Sequence, residues 1–119
     1  MQATATIFSP LAVVIPAYNA ERVVAQTLND VFSWLDAAGY SVRQSGEGDQ
    51  LPRARVLVVD DGSTDRTGEI VRSAGHPVRL LRNEPNRGKG FSVRRGVLAA
   101  IGLAEPEPAP ADPPTPATE

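Results

Sequence analysis

Two short runs of aliphatic and β-branched residues, LAVVI at 11–15 and RVLVV at 55–59, each stop at a polar cluster. Such runs are too short for buried helices and suit strands covered on both faces. Pro16 ends the first, because proline has no N–H for a central ladder. The second leads straight into Asp60 and Asp61, so a buried strand carries two carboxylates to the edge of a sheet. Between the runs, residues 20–38 place Val23, Val24, Thr27, Leu28, Val31, Phe32 and Leu35 at spacings of three and four. That spacing predicts an amphipathic helix, with Gly39 as its stop. The segment SVRQSGEGDQLPR (41–53) has no period and several breakers, and reads as a surface loop. Residues 65–75 predict a short helix, with Ser63 or Thr64 as N-cap and Gly75 at its end. PVRLL (77–81) is a third strand. Residues 88–101 form a third helix, with Phe91, Val93, Val97, Leu98 and Ile101 apolar. The order β-α-β-α-β-α predicts an α/β fold around a parallel sheet with right-handed crossovers.

The chain has 119 residues, enough for one domain. With no cysteine, disulfides and thiolate metal sites are excluded. A net charge of −2 gives no reason to expect nucleic acid as a partner. All 12 basic residues lie at or before Arg95, whereas the end of the chain carries Glu105, Glu107, Asp112 and Glu119. That end, AEPEPAPADPPTPATE, also holds six of the 11 prolines. Residues 103–119 are therefore expected to be a disordered, acidic, extended tail. No apolar run approaches the roughly 20 residues that span a bilayer. The N-terminus, MQATATIFSP, lacks a basic region, so a signal peptide is not expected. A cytoplasmic location, at most peripheral to a membrane, follows from those two readings.

In open parallel sheets, ligands sit beyond the carboxyl ends of the strands. Three polar clusters fall there: PAYNAE (16–21), DDGSTD (60–65) and NEPNRGKG (83–90). Taken singly, each has a plainer account. Asp60 and Asp61 suit a turn and an N-cap, with Gly62 at positive φ. Tyr18 suits a half-buried aromatic position, and Arg87 and Lys89 suit solvated charges. Trp34 reads as helix packing, and His76 has no assigned role. Taken together, the clusters divide a nucleotide between them. A carboxylate accepts from a base N–H or ribose hydroxyls, a tyrosine packs on a planar base, and Arg87 and Lys89 before a helix suit a diphosphate.

Common nucleotide motifs do not match. A P-loop has GxxxxGK[ST], but here Gly88-Lys89 is followed by Gly90, and Asn83 stands at the first glycine. The dinucleotide fingerprint belongs at the first βα turn, whereas GKGFSV follows the third strand and ends in Val93. A receiver domain also opens with a strand ending in two acids, but its phosphoacceptor would come from a later strand. After Asp65 the only aspartate is Asp112, in the proline-rich segment.

Together, VVIPAYNAE, VLVVDDGSTDRTGEIV and NRGKGFSVRRGVLAA resemble the N-terminal half of family 2 glycosyltransferases of the GT-A fold, over residues 11–100. The third segment and the long first loop are most similar to the dolichyl- or polyprenyl-phosphate sugar transferases. The resemblance implies transfer of a sugar from a nucleotide-diphosphate sugar to an acceptor such as a polyprenyl phosphate at a membrane surface. It implies that Pro16, Ala17, Tyr18 and Glu21 line a nucleoside pocket. The family's usual first acid after the Asn is replaced by Ala20. Asp60 and Asp61 match the base- and ribose-binding acids, with Asp61 expected to make the direct contact. Asn86, Arg87, Gly88 and Lys89 match the segment beside the diphosphate. The family also uses Mg2+ or Mn2+, held by an Asp-x-Asp motif after a further strand, and a later acid as base. Neither occurs in this sequence, where IGLAEPEPAPADPPTPATE follows the third helix. The expectation is a nucleotide-sugar-binding half over 1–102, truncated before the metal motif and inactive alone. The alternatives are a non-catalytic nucleotide-binding fragment and a non-functional remnant.

Overall fold

A computed structural model describes residues 11–42 and 53–102. The proline-rich segment 103–119 and most of the 41–53 loop lie outside the described residues. The elements run β1 (Leu11–Ala17), α1 (Val24–Ala37), β2 (Ala54–Asp60), α2 (Thr67–Ser73), β3 (Val78–Arg82) and α3 (Lys89–Ala100). The three strands form one parallel sheet in the order β1-β2-β3, as the alternation of elements predicted.

The faces of the sheet follow the two-residue period of its strands. Val13, Ile15, Val56, Val58, Val78 and Leu80 share one face with Val24, Leu28, Phe32 and Leu35 of α1 and Val71 of α2. Val14, Leu57, Val59 and Leu81 share the other with Ala99 and Ala100 of α3. Covered on both sides, β2 is buried at every position except Arg55, which is why it reads as a continuous apolar run. The helical cover thus changes face after β3, and α3 returns across β1 and β2. In open α/β sheets such a reversal marks where ligands bind, at the carboxyl ends of the strands.

Four sequence expectations change. First, β1 does not stop before Pro16 but runs to Ala17, with Pro16 opposite Val59. The Leu11 N–H donates to the Arg53 carbonyl and the Ala17 carbonyl accepts from the Asp61 N–H. Odd-numbered residues therefore address β2, and the Pro16 nitrogen points to the side where β1 has no partner strand among the described residues, so no donor is lost. Second, the helix expected over 20–38 runs Val24–Ala37, and of the two valines placed on its apolar face Val24 is buried while Val23, at the N-cap, is exposed. Third, α3 buries Ser92, Gly96, Ala99 and Ala100, leaving Phe91, Val93, Val97 and Ile101 outside. Small residues let the helix lie close to the strands: a Cβ on Gly96 would stand 2.3 Å from Val14 Cγ1. Fourth, Trp34 is 59% exposed and stacks on Tyr40, whereas His76, given no role, stacks on Phe32 at 4.3 Å and meets the Asn29 side chain.

Helix ends follow the expected glycines. Gly39 N–H donates to the Asp36 carbonyl and Tyr40 N–H to the Leu35 carbonyl, the paired bonds that close a helix. Among the described residues, no helix is long and apolar enough to cross a membrane.

Candidate functional site

Each strand ends in a turn, and side chains tie the three turns into one edge. The turn after β1 is held by Asn19, at φ 49°, a left-handed conformation that asparagine tolerates. Its N–H donates to Ser63 Oγ at 2.8 Å, and its side-chain oxygen accepts from the Thr64 N–H at 2.9 Å. Ala20 N–H donates to Thr67 Oγ1 at 2.8 Å. Glu21 N–H donates to Asp65 Oδ2 at 3.1 Å, and Glu21 Oε1 accepts from the Arg66 N–H at 3.0 Å. Ser63 and Thr64 are therefore not the caps of α2, whose first turn follows Arg66 without a side-chain cap. They join two turns that lie far apart in sequence. Asp65 is held below the usual carboxylate range: burial alone would raise it, but hydrogen bonds from the Thr67 hydroxyl and amide and the Glu21 amide prevail.

The two adjacent acids have different surroundings. Asp60 is fully buried. Its Oδ2 accepts from Arg82 Nη1 at 2.7 Å and its Oδ1 from the Ser63 N–H at 3.0 Å. Arg82 also donates from Nη2 to the Ser63 carbonyl at 3.0 Å and pairs with Glu84. Asp61 is 4% exposed. Its Oδ1 accepts from Asn83 Nδ2 at 2.8 Å and the Arg87 N–H at 2.7 Å, and its Oδ2 from the Gly88 N–H at 2.8 Å. Its carbonyl accepts from Asn86 Nδ2 at 3.0 Å. Behind it, Asn83 Nδ2 also donates to Ser92 Oγ at 2.9 Å, and Arg95 donates to Asn83 Oδ1 at 2.9 Å.

Burial alone would raise the Asp61 carboxyl, but the donors of Arg87, Asn83, Gly88 and Ser92 outweigh it and hold it below the ordinary 3.8. A carboxyl lowered on folding stabilises the protein above its unfolded value, and that stability is lost as pH falls through the folded value. Urea unfolding should therefore show the difference between wild type and Asp61→Asn shrinking below about pH 4. A constant difference down to pH 2.5 would contradict this account of Asp61.

The remaining residues expected at the site lie along the same edge. Ala17 is buried and Pro16 half-buried at the end of β1, and Tyr18 is 51% exposed just beyond them. The Asp61 N–H bonds to the Ala17 carbonyl, so Tyr18 and Asp61 start from neighbouring strand ends. Arg87 and Lys89 are exposed, with the Arg87 guanidinium 5.2 Å from the centre of the Phe91 ring. Sequence reasoning had not singled out Asn19, Ser63, Thr67, Arg82, Asn83 or Ser92 as site builders. Asn19, Ser63 and Asn83 carried a signal, as members of the PAYNAE, DDGSTD and NEPNRGKG clusters, whereas Thr67, Arg82 and Ser92 carried none. Among the described residues, no three His, Cys, Asp or Glu side chains come together as a metal site.

Comparison with known proteins gives a consistent result. The profile of Glycosyl transferase family 2 matches residues 12–103. A dolichyl-phosphate β-glucosyltransferase from Trichomonas vaginalis is 36% identical over 104 residues, covering 82% of this chain and 29% of the relative. One from Dictyostelium discoideum is 32% identical over 97 residues, covering 77% and 28%. The chain thus spans less than a third of the length of these relatives. Among solved structures, a mannosyltransferase from Pyrobaculum calidifontis, in complex with GDP-mannose and Mn2+, superposes with a TM-score of 0.57 at 25% identity, covering 84% of this chain and 26% of that one.

Proposed function

The chain belongs to glycosyl transferase family 2, and on that premise we propose that its described core is the donor-side part of a sugar transferase, a seat for the nucleoside diphosphate of a nucleotide sugar. The observation that carries this reading is the joining of the three turns after β1, β2 and β3 into one hydrogen-bonded edge through Asn19, Asp61 and Glu21. Pro16, Ala17, Tyr18 and Glu21 line its nucleoside side, with the exposed Tyr18 ring available to pack on a planar base. On the diphosphate side stand Arg87 and Lys89, flanked by Asn86 and Gly88. An exposed guanidinium and ammonium on one turn suit a doubly charged phosphate group.

In the reaction proposed for the whole enzyme, an acceptor oxygen bonds to the sugar's anomeric carbon as the bond from that carbon to the diphosphate breaks. The nucleoside diphosphate leaves with the electron pair. The similarity to dolichyl-phosphate β-glucosyltransferases favours a polyprenyl phosphate as acceptor, met at a membrane surface.

The similar mannosyltransferase carries Mn2+. The described residues of this chain do not fit such an ion: the adjacent acids Asp60 and Asp61 already spend their oxygens on Arg82, Ser63, Asn83, Arg87 and Gly88. For the 119-residue chain the expected result is metal-insensitive nucleotide binding without turnover. Calorimetry with UDP and GDP, with and without magnesium, should give the same affinity in both conditions. A tenfold tightening by magnesium, or sugar transfer to a polyprenyl phosphate by this chain, would overturn that expectation.

A further inference from the structure

Asn83 is the first residue past β3, beside the acid that follows β2. Parallel pairing ends with Asp60 opposite Arg82, so Asp61 and Asn83 are the next residues on neighbouring strands. The Asn83 N–H donates to the Asp60 carbonyl at 2.9 Å, which fixes its backbone there. The residue is 3% exposed, and the polar atoms of its side chain are all engaged. Nδ2 donates to Asp61 Oδ1 at 2.8 Å and to Ser92 Oγ at 2.9 Å, and Oδ1 accepts from Arg95 Nη1 at 2.9 Å. These partners select one orientation of the amide, with its oxygen on a cation and its nitrogen on an anion. A half-turn of the amide would set donor against donor and acceptor against acceptor.

The two oxygens of Asp61 are not equally committed. Oδ1 accepts from Asn83 Nδ2 and the Arg87 N–H, whereas Oδ2 accepts from the Gly88 N–H. A carboxylate offers about four acceptor positions, two on each oxygen, so Oδ2 is the oxygen with more room for a further donor. We propose that Asn83 is a positioning residue for Asp61: it anchors Oδ1 and so leaves Oδ2 to accept from the base or ribose of the nucleotide. This inference rests on the nucleotide reading above and on the contact that the family resemblance implies for Asp61. Arg95 of α3 holds Asn83 in turn, so a chain of side chains runs from the third helix to the carboxylate. The opposite charges at its two ends polarise the amide between them and strengthen both bonds. A carboxylate fixed before the ligand arrives lowers the ordering cost of binding.

A pH profile separates positioning from a merely structural role. Uridine, guanosine, UDP and GDP are titrated into the wild-type chain, Asn83→Ala and Asn83→Asp, at a temperature where thermal melts show each protein folded. Wild-type affinity for the nucleosides should be constant from about pH 8 to about pH 5, because Asp61, held below 3.8, stays ionised. Asn83→Ala should lose about tenfold in nucleoside affinity across that range, as expected when a bond to a charged group goes. Asn83→Asp sets a second carboxylate against Asp61 at high pH and should lose as much. As pH falls, a proton shared by the two acids restores the missing donor, and affinity should return to within about threefold of wild type. One constant loss in both variants at every pH would overturn the inference, and so would unchanged affinity in Asn83→Ala; either would leave the nucleotide reading intact. Failure of the wild type to bind either nucleoside would also overturn the inference, and failure with the diphosphates as well would overturn the nucleotide reading. A second measurement needs no variant. The side-chain N–H2 protons of Asn83 in the wild type should exchange slowly with and without nucleoside. Faster exchange on binding would show the ligand displacing Asn83 from Asp61, against the inference.

Discussion

Gly62→Ala is expected to destabilise the chain by about 3 kcal/mol, the sum of two separate costs. Gly62 has φ +75°, where an L-residue with a side chain is strained by roughly 1–2 kcal/mol. Its added Cβ would also stand 2.8 Å from the Asn86 nitrogen, 3.2 Å from the Asn83 carbonyl oxygen and 3.2 Å from Asn86 Cα. All three are backbone atoms, so no side chain can rotate away. Pushing the turn outward lengthens the bonds from Asp61 to Arg87 and Gly88, adding about 1–3 kcal/mol of misfit. In a domain of this size the melting temperature should fall by about 10–20 °C. Gly90→Ala is the matched control: nothing lies within 4 Å of its Cβ, and it stands inside α3, so it should be neutral or stabilising by up to about 1 kcal/mol. Thermal melts of the two variants check this. Equal melting temperatures would mean that the 61–62 backbone does not hold the third turn.

Asp60→Ala comes next in size, at about 2–4 kcal/mol. Asp60 is the only carboxylate among the described residues with no exposed surface. Its removal leaves the Ser63 N–H without an acceptor inside the protein and the Arg82 guanidinium without its inner partner. The Arg82 side chain is 39% exposed and keeps Glu84, so solvent screens its share of the loss. Most of the cost therefore comes from the stranded amide and the space left behind. Asp60→Asn keeps an acceptor for Ser63 but turns an amino group toward Arg82, and should fall between wild type and alanine. Urea unfolding of the three proteins measures the order. A full loss of nucleotide affinity at unchanged stability would instead assign Asp60 to the ligand.

The two acids show how far a sequence can be read. That a strand carries Asp60 and Asp61 to the sheet edge was legible, because an apolar run that stops at charges leaves few other placements. What each carboxylate does there was not legible, because Arg82 lies 22 positions from Asp60 and Arg87 lies 26 positions from Asp61. Arg82 lay just outside the strand expected at 77–81, and nothing in its neighbours shows that parallel pairing sets it beside Asp60. The same holds for Ser63 and Thr64. As hydroxyl residues before a helix they read as caps, yet Asn19, 44 and 45 positions away, takes them.

Local periodicity set the type and order of all six elements, and with them the parallel sheet and the edge where its polar clusters meet. Those features depend on contacts within a few residues and on the handedness of the crossovers, both of which are written along the chain. The face of α3 that is buried, the passage of β1 through Pro16, and the partners of Asp60, Asp61 and Glu21 depended on which surfaces meet when the layers pack. Gly96 shows why: its value lies in the missing Cβ, and only the approach of Val14 and Val59 gives that absence a purpose. Packing distance and pairing register are properties of two segments at once, so neither segment carries them alone.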